Sequence, residues 1–160
     1  MKMLRSILLG VAAIAAPVVF ASPTFAEGGV FVGVEGEKVA VGGYDAVSFF
    51  RGNGVPEKGD KRYRVTWKGA EWHFSSQSNA EAFKSNPTAF APQYGGHCAW
   101  AMSRGYLAPG DPTLYKIVDG KLYLNFNAEV QQTWLGDIAG FIAKADPAWQ
   151  QIPEGEVFGG

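Results

Sequence analysis

Tyr63-Arg64-Val65-Thr66-Trp67-Lys68-Gly69-Ala70-Glu71-Trp72-His73-Phe74 alternates apolar and polar side chains on both sides of Lys68-Gly69. A period of two sends successive side chains to opposite faces, and the aromatic and β-branched content suits a pleated, half-buried surface. The stretch reads as a β-hairpin, with strands over Tyr63–Trp67 and Glu71–Phe74. Immediately after it, Ser78-Asn79-Ala80-Glu81 has the spacing of a capping box, and Ala82 and Phe83 supply the buried side of a helix. Asn86-Pro87 ends that helix, because the residue before proline disfavours helical backbone.

The same order recurs downstream. Leu114–Val118 and Lys121–Phe126 flank Asp119-Gly120, a strong short hairpin signal. Asn127 can cap a following helix whose apolar positions include Val130, Trp134 and Leu135. A hairpin-then-helix unit therefore occurs twice, although the residues match too poorly to read as a repeat. Around these units lie a short strand over Val30–Val34, a compact apolar segment at Tyr44–Phe50 and a polar loop from Arg51 to Arg62. Pro92–Gly96 reads as irregular, Cys98–Ser103 as a short helix, and Ile138–Ala145 as a last helix before Pro147. The fold class is α+β: a small single domain with two β-hairpin-then-helix units.

The start of the chain has a different character. Lys2 and Arg5 precede an apolar run from Ile7 to Phe20, and Thr24-Phe25-Ala26 leads to Glu27. A basic start, a short apolar run and a small-residue exit describe a secretory signal peptide. The run falls short of the ~20 residues a membrane-spanning helix needs. The chain divides accordingly into a signal peptide (1–26), a lead-in segment (27–43), the domain (44–149) and a loose C-terminal tail (150–160). A periplasmic or secreted location follows, with no membrane partner after cleavage.

Cleavage leaves 160 − 26 = 134 residues with a formal charge of (14 − 2) − 15 = −3. Without a basic footprint, nucleic acid is not an expected partner. A lone cysteine excludes an internal disulfide framework and a zinc site built on several thiolates. The chain has no Walker loop, no dinucleotide glycine fingerprint, no H-E-x-x-H and no G-x-S-x-G.

Lys68-Gly69, Trp72-His73-Phe74-Ser75-Ser76, Ala82-Phe83, Asn86-Pro87 and Phe90 together resemble the YHS domain family. Gly43-Tyr44-Asp45-Ala46-Val47-Ser48-Phe49-Phe50 is similar to the family's opening segment. Tyr94-Gly95-Gly96-His97-Cys98-Ala99 and the Val118–Asn125 hairpin resemble an exported branch in which the position of Cys98 can be selenocysteine. The likeness runs from Gly42 to Trp149. YHS domains occur in copper-transporting ATPases and multicomponent hydroxylases, so the resemblance implies metal binding through paired cysteines. This chain departs there: Ser75 stands where such relatives carry a cysteine. Selenocysteine at a matching position implies redox chemistry or soft-metal binding instead.

The mature chain holds one cysteine (Cys98), one methionine (Met102) and two histidines (His73 and His97). A cysteine after two glycines and before a helix can have its thiolate favoured by free N–H groups, whereas a buried cysteine among Ala99, Trp100 and Ala101 would be inert. If the helix includes both, Cys98 and Met102 share a face, and thiolate with thioether suits Cu(I). His97 joins them only if Cys98 sits at an irregular start, and His73 only through the fold. Met102 also reads as core, and Tyr44 and Tyr94 as pocket or core groups. Asp45 fits a cap for the Ala46 segment.

Three functions remain open. One is a soft-metal module holding copper through Cys98 with His97, Met102 or His73. Another is a thiol redox enzyme in which Cys98 is the catalytic nucleophile toward a peroxide or disulfide, completed by a small thiol. The third is a structural or protein-partner domain with an inert Cys98.

Overall fold

In the computed structural model, residues 27–33, 38–51 and 54–159 are described; the signal-peptide reading and Val34 fall outside them. The first hairpin pairs β1 (Asp60–Trp67) with β2 (Ala70–Phe74), and the second pairs β3 (Asp111–Val118) with β4 (Lys121–Asn125). Both are antiparallel two-stranded sheets, as the alternation predicts. Lys68 and Gly69 turn at φ 47° and 73°, Asp119 and Gly120 at 50° and 73°. Two successive left-handed residues match the twist of the flanking strands. α1 (Gln77–Ser85) follows the first hairpin, and α4 (Ala128–Leu135) the second. Between them lie α2 (Pro87–Phe90) and α3 (Ala99–Met102), and α5 (Ile138–Trp149) closes the domain.

The two units, read as too dissimilar for a repeat, prove to be one backbone built twice. Asp60 faces Phe74, a bulge follows, and the ladder resumes at Arg64–His73. Asp111 faces Asn125, a bulge follows, and the ladder resumes at Tyr115–Leu124. At each bulge the aspartate accepts the N–H two residues on, from Arg62 and from Thr113, both at 2.8 Å. Each helix is capped from the strand's exit: Ser76 accepts from Asn79 N–H (3.2 Å) and Asn127 from Val130 N–H (2.8 Å). The first cap is therefore Ser76, not Ser78, because Ser76 keeps extended backbone after β2 while Ser78 is already helical.

A matching 3₁₀ turn precedes each hairpin, at Ala40–Gly43 and Gln93–Gly96. Val41 and Tyr94 both take left-handed backbone (φ 54° and 55°), as do the glycine pairs after them. For side chains of that bulk the conformation is strained, so it persists only where surrounding structure imposes it.

The cores correspond as well. Tyr94, Ala99, Met102, Tyr123 and Trp134 form one cluster with Ala145. Val41, Ala46, Phe49, Trp72 and Phe83 occupy the equivalent places in the other. Trp72 meets Phe83 with ring centroids 4.7 Å apart, and Tyr123 meets Trp134 at 5.5 Å. Leu122 and Leu124 of β4 belong to the first cluster, so the two halves share apolar burial.

Three outer segments differ from expectation. Residues 30–33 form no strand, although Phe31 N–H donates to Gly95 O at 2.8 Å. α5 runs through Pro147 to Trp149, and the Trp149 ring at its end packs on Tyr94 and His97. The tail expected to be loose is tied down: Gly29 N–H donates to Glu156 O (2.8 Å) and Gly155 N–H to Glu27 O (3.3 Å). Phe158 N–H bonds His97 Nε2 at 3.1 Å. Among the described residues no helix is long and apolar enough to cross a membrane.

Candidate functional site: the Cys98 sulfur and its counterpart carboxylate

Cys98 is the N-cap residue of α3, extended at φ −60°, ψ 121°, with 1% of its surface exposed. Its N–H donates to Ala108 O (2.9 Å) and its backbone bridges to Leu124 of β4. The short helix therefore starts one residue later than the sequence reading. The N–H groups of Ala101, Phe126 and Trp100 point at the sulfur. The thiol in turn faces the Asn125 amide, with Sγ 3.9 Å from Oδ1. Burial pushes the thiol above its ordinary range, and the three N–H groups oppose that shift without cancelling it. At neutral pH the resting sulfur is a protonated thiol.

Asp45 occupies the same place in the first half. Its N–H donates to Glu57 O at 2.8 Å, as that of Cys98 does to Ala108 O. Oδ1 accepts from Val47 N–H (2.8 Å) and Ser48 N–H (3.3 Å), the counterparts of Trp100 and Ala101. Oδ2 accepts from Ser75 N–H (2.9 Å), the counterpart of Phe126. The Ser75 hydroxyl and the Asn79 amide, each at 2.7 Å, complete the shell. Asp45 thus does more than cap a turn: fully buried, it ties the opening segment to the exit of β2 and the first turn of α1. One backbone cage, built twice, holds a carboxylate in one half and a sulfur in the other.

The other expected ligands lie elsewhere. His97 is adjacent in sequence and fully buried, but Nδ1 bonds Tyr94 O (2.8 Å) and Nε2 accepts from Phe158 N–H. Burial pushes its imidazole below the ordinary value, with the Tyr94 bond opposing. Both nitrogens of a neutral ring are thereby used. Met102 fills the core position equivalent to Phe49. His73 is opposite in facing to Trp72 and Phe74 and pairs with Glu71 Oε1 at 2.7 Å. Its counterpart is Leu124, so it belongs to the Asp45 half. Among the described residues no three His, Cys, Asp or Glu side chains gather where they could hold a metal ion.

Asn125 escaped the sequence reading. It is fully buried at the strand position where the first half carries Phe74, and its Nδ2 has no hydrogen-bond partner among the described residues. A polar side chain in the Trp-Phe alternation of a hairpin was the available signal. Elsewhere, Trp67, Trp72, Tyr94 and Trp149 line a cleft of about 430 Å³ together with Lys121 and Asp146. Tyr94 is thus a pocket residue as well as a core one, and its hydroxyl donates to Asp146 Oδ1 at 2.8 Å. No family model, no curated protein and no solved structure matches the chain.

Proposed function

We propose that the protein is an exported thiol redox domain in which the Cys98 sulfur reacts with hydroperoxides, a small external thiol completing any cycle. The observation that supports it is the backbone cage: Val47, Ser48 and Ser75 N–H groups hold the Asp45 carboxylate, and their counterparts in Trp100, Ala101 and Phe126 bond the Cys98 sulfur. Preorganised donors aimed at a developing anion lower the cost of forming it in a dry site. The thiol loses its proton, the thiolate attacks one peroxide oxygen, and the leaving hydroxide or alkoxide is protonated. The raised thiol value and deep burial make this a slow, selective reaction that waits on local opening. The resemblance to the exported YHS branch supports the same centre.

Soft-metal capture by His97 would need Nε2 to give up the bond from Phe158 N–H, while Nδ1 could keep Tyr94 O. The test is peroxide consumption by the folded protein with a small thiol present, beside Cys98→Ala. Equal, background rates for both would overturn the reading. A second reading rests on the tryptophan-lined cleft, which suits a planar ligand or an aromatic segment of a protein partner. Trp149→Ala should then abolish ligand-induced quenching of tryptophan fluorescence.

A further inference from the structure

We propose that Cys98 is an oxidation site whose end state is the sulfinate, held as a copy of the Asp45 carboxylate. The inference rests on the thiol reading above and names the product of that same site. A cysteine sulfinate and an aspartate both present two anionic oxygens one methylene from Cα. The first half shows what the cage does with such a group: one oxygen takes the N–H groups of Val47 and Ser48, the other that of Ser75. In the second half Trp100, Ala101 and Phe126 present the same N–H groups to a sulfur too poor an acceptor to satisfy them.

The remaining donors decide the matter. Ser75 and Asn79 supply side-chain donors to Asp45. Their counterparts, Phe126 and Val130, have none. The second half instead carries Asn125 where the first has Phe74, fully buried beside the sulfur. Among the described residues its Nδ2 lacks a partner, and an unpaired N–H donor in a core costs free energy. The two ends of an amide are nearly alike in shape, so a half-turn of the side chain brings Nδ2 to the sulfur side. Against a thiol this leaves one donor unused; against a sulfinate oxygen it provides the missing bond.

The chemistry balances with a hydroperoxide as oxidant: Cys–SH + 2 ROOH → Cys–SO₂⁻ + 2 ROH + H⁺. In each step the sulfur lone pair forms an S–O bond as an O–O bond breaks, and the sulfur is oxidised while the peroxide is reduced to an alcohol or water. The proton released at the end is that of the sulfinic acid, which the cage strips by favouring the anion.

Hydrogen peroxide, added to the full mature protein and followed by intact mass, tests the inference. Expected is a gain of two oxygen atoms on Cys98, with a rise in Tm of about 4 °C over the reduced form. The variant Asn125→Leu should lose most of that rise and let oxidation run on to the sulfonate. Cys98→Asp reads the cage without any oxidation, and should melt above Cys98→Ser and Cys98→Asn. If Cys98 takes up no oxygen at all, the thiol reading fails and this inference with it. If it is oxidised but stops at one oxygen or passes to three, and Cys98→Asp melts below Cys98→Ser, the sulfinate inference alone is overturned.

Discussion

Asp45 and Cys98 show how far a single residue's role depends on what the backbone offers it. Five donors meet the Asp45 carboxylate inside the protein. Asp45→Asn replaces an acceptor oxygen with an amide that repels part of that shell, and should cost about 3 kcal/mol in urea unfolding. The Cys98 thiol brings a pH dependence of its own. Its native value is raised by burial, so the protonated thiol favours the folded state at neutral pH. That contribution is complete below the unfolded value of about 8.5 and is lost as pH climbs through the native one. Unfolding free energy measured from pH 7.5 to 10 should therefore fall for the reduced protein more steeply than for Cys98→Ala.

The elements were largely legible and the cage was not. Lys68-Gly69 and Asp119-Gly120 announced both hairpins, because left-handed turn residues are costly elsewhere. Asn127 announced its helix by the same economy of capping. The pairing of Asp45 with Cys98 was hidden, because the matching N–H groups belong to backbone and carry no residue signature. Phe74 against Asn125, and Ser75 against Phe126, differ in chemistry while the strands beneath them keep one register.

The C-terminal segment is held through an equally quiet device, the Phe158 N–H bond to His97. Nε2 accepts only while the ring is neutral, and burial lowers the native value. Stability is therefore intact above the unfolded value of about 6.5 and is lost as pH falls through the native one, by up to about 1.4 kcal/mol per pH unit. Limited proteolysis after Trp149 should accelerate between pH 7 and 5 before the rest of the domain opens.

At the scale of the molecule, the halves repeat a backbone but share one interior. Leu122 and Leu124 complete the first cluster, and Tyr115 and Ile117 pack against it. A peptide spanning residues 38–91 would leave that apolar face in water, and should lack cooperative unfolding by circular dichroism. Mixing it with residues 92–159 should restore part of the native signal. The Cys98–Leu124 bridge lies on the same strand that serves the first cluster, so a change at the sulfur is felt by the seam between the halves.

A cage filled by a carboxylate in one half and by a neutral thiol in the other makes the reduced protein electrically lopsided. Conversion of Cys98 to a sulfinate adds one fixed negative charge, taking the full chain's formal charge from −1 to −1 − 1 = −2. The sequence isoelectric point near 6.1 then moves toward acid, and the two forms separate as distinct bands on isoelectric focusing. The ratio of those bands would make the domain a readable record of the peroxide it has met.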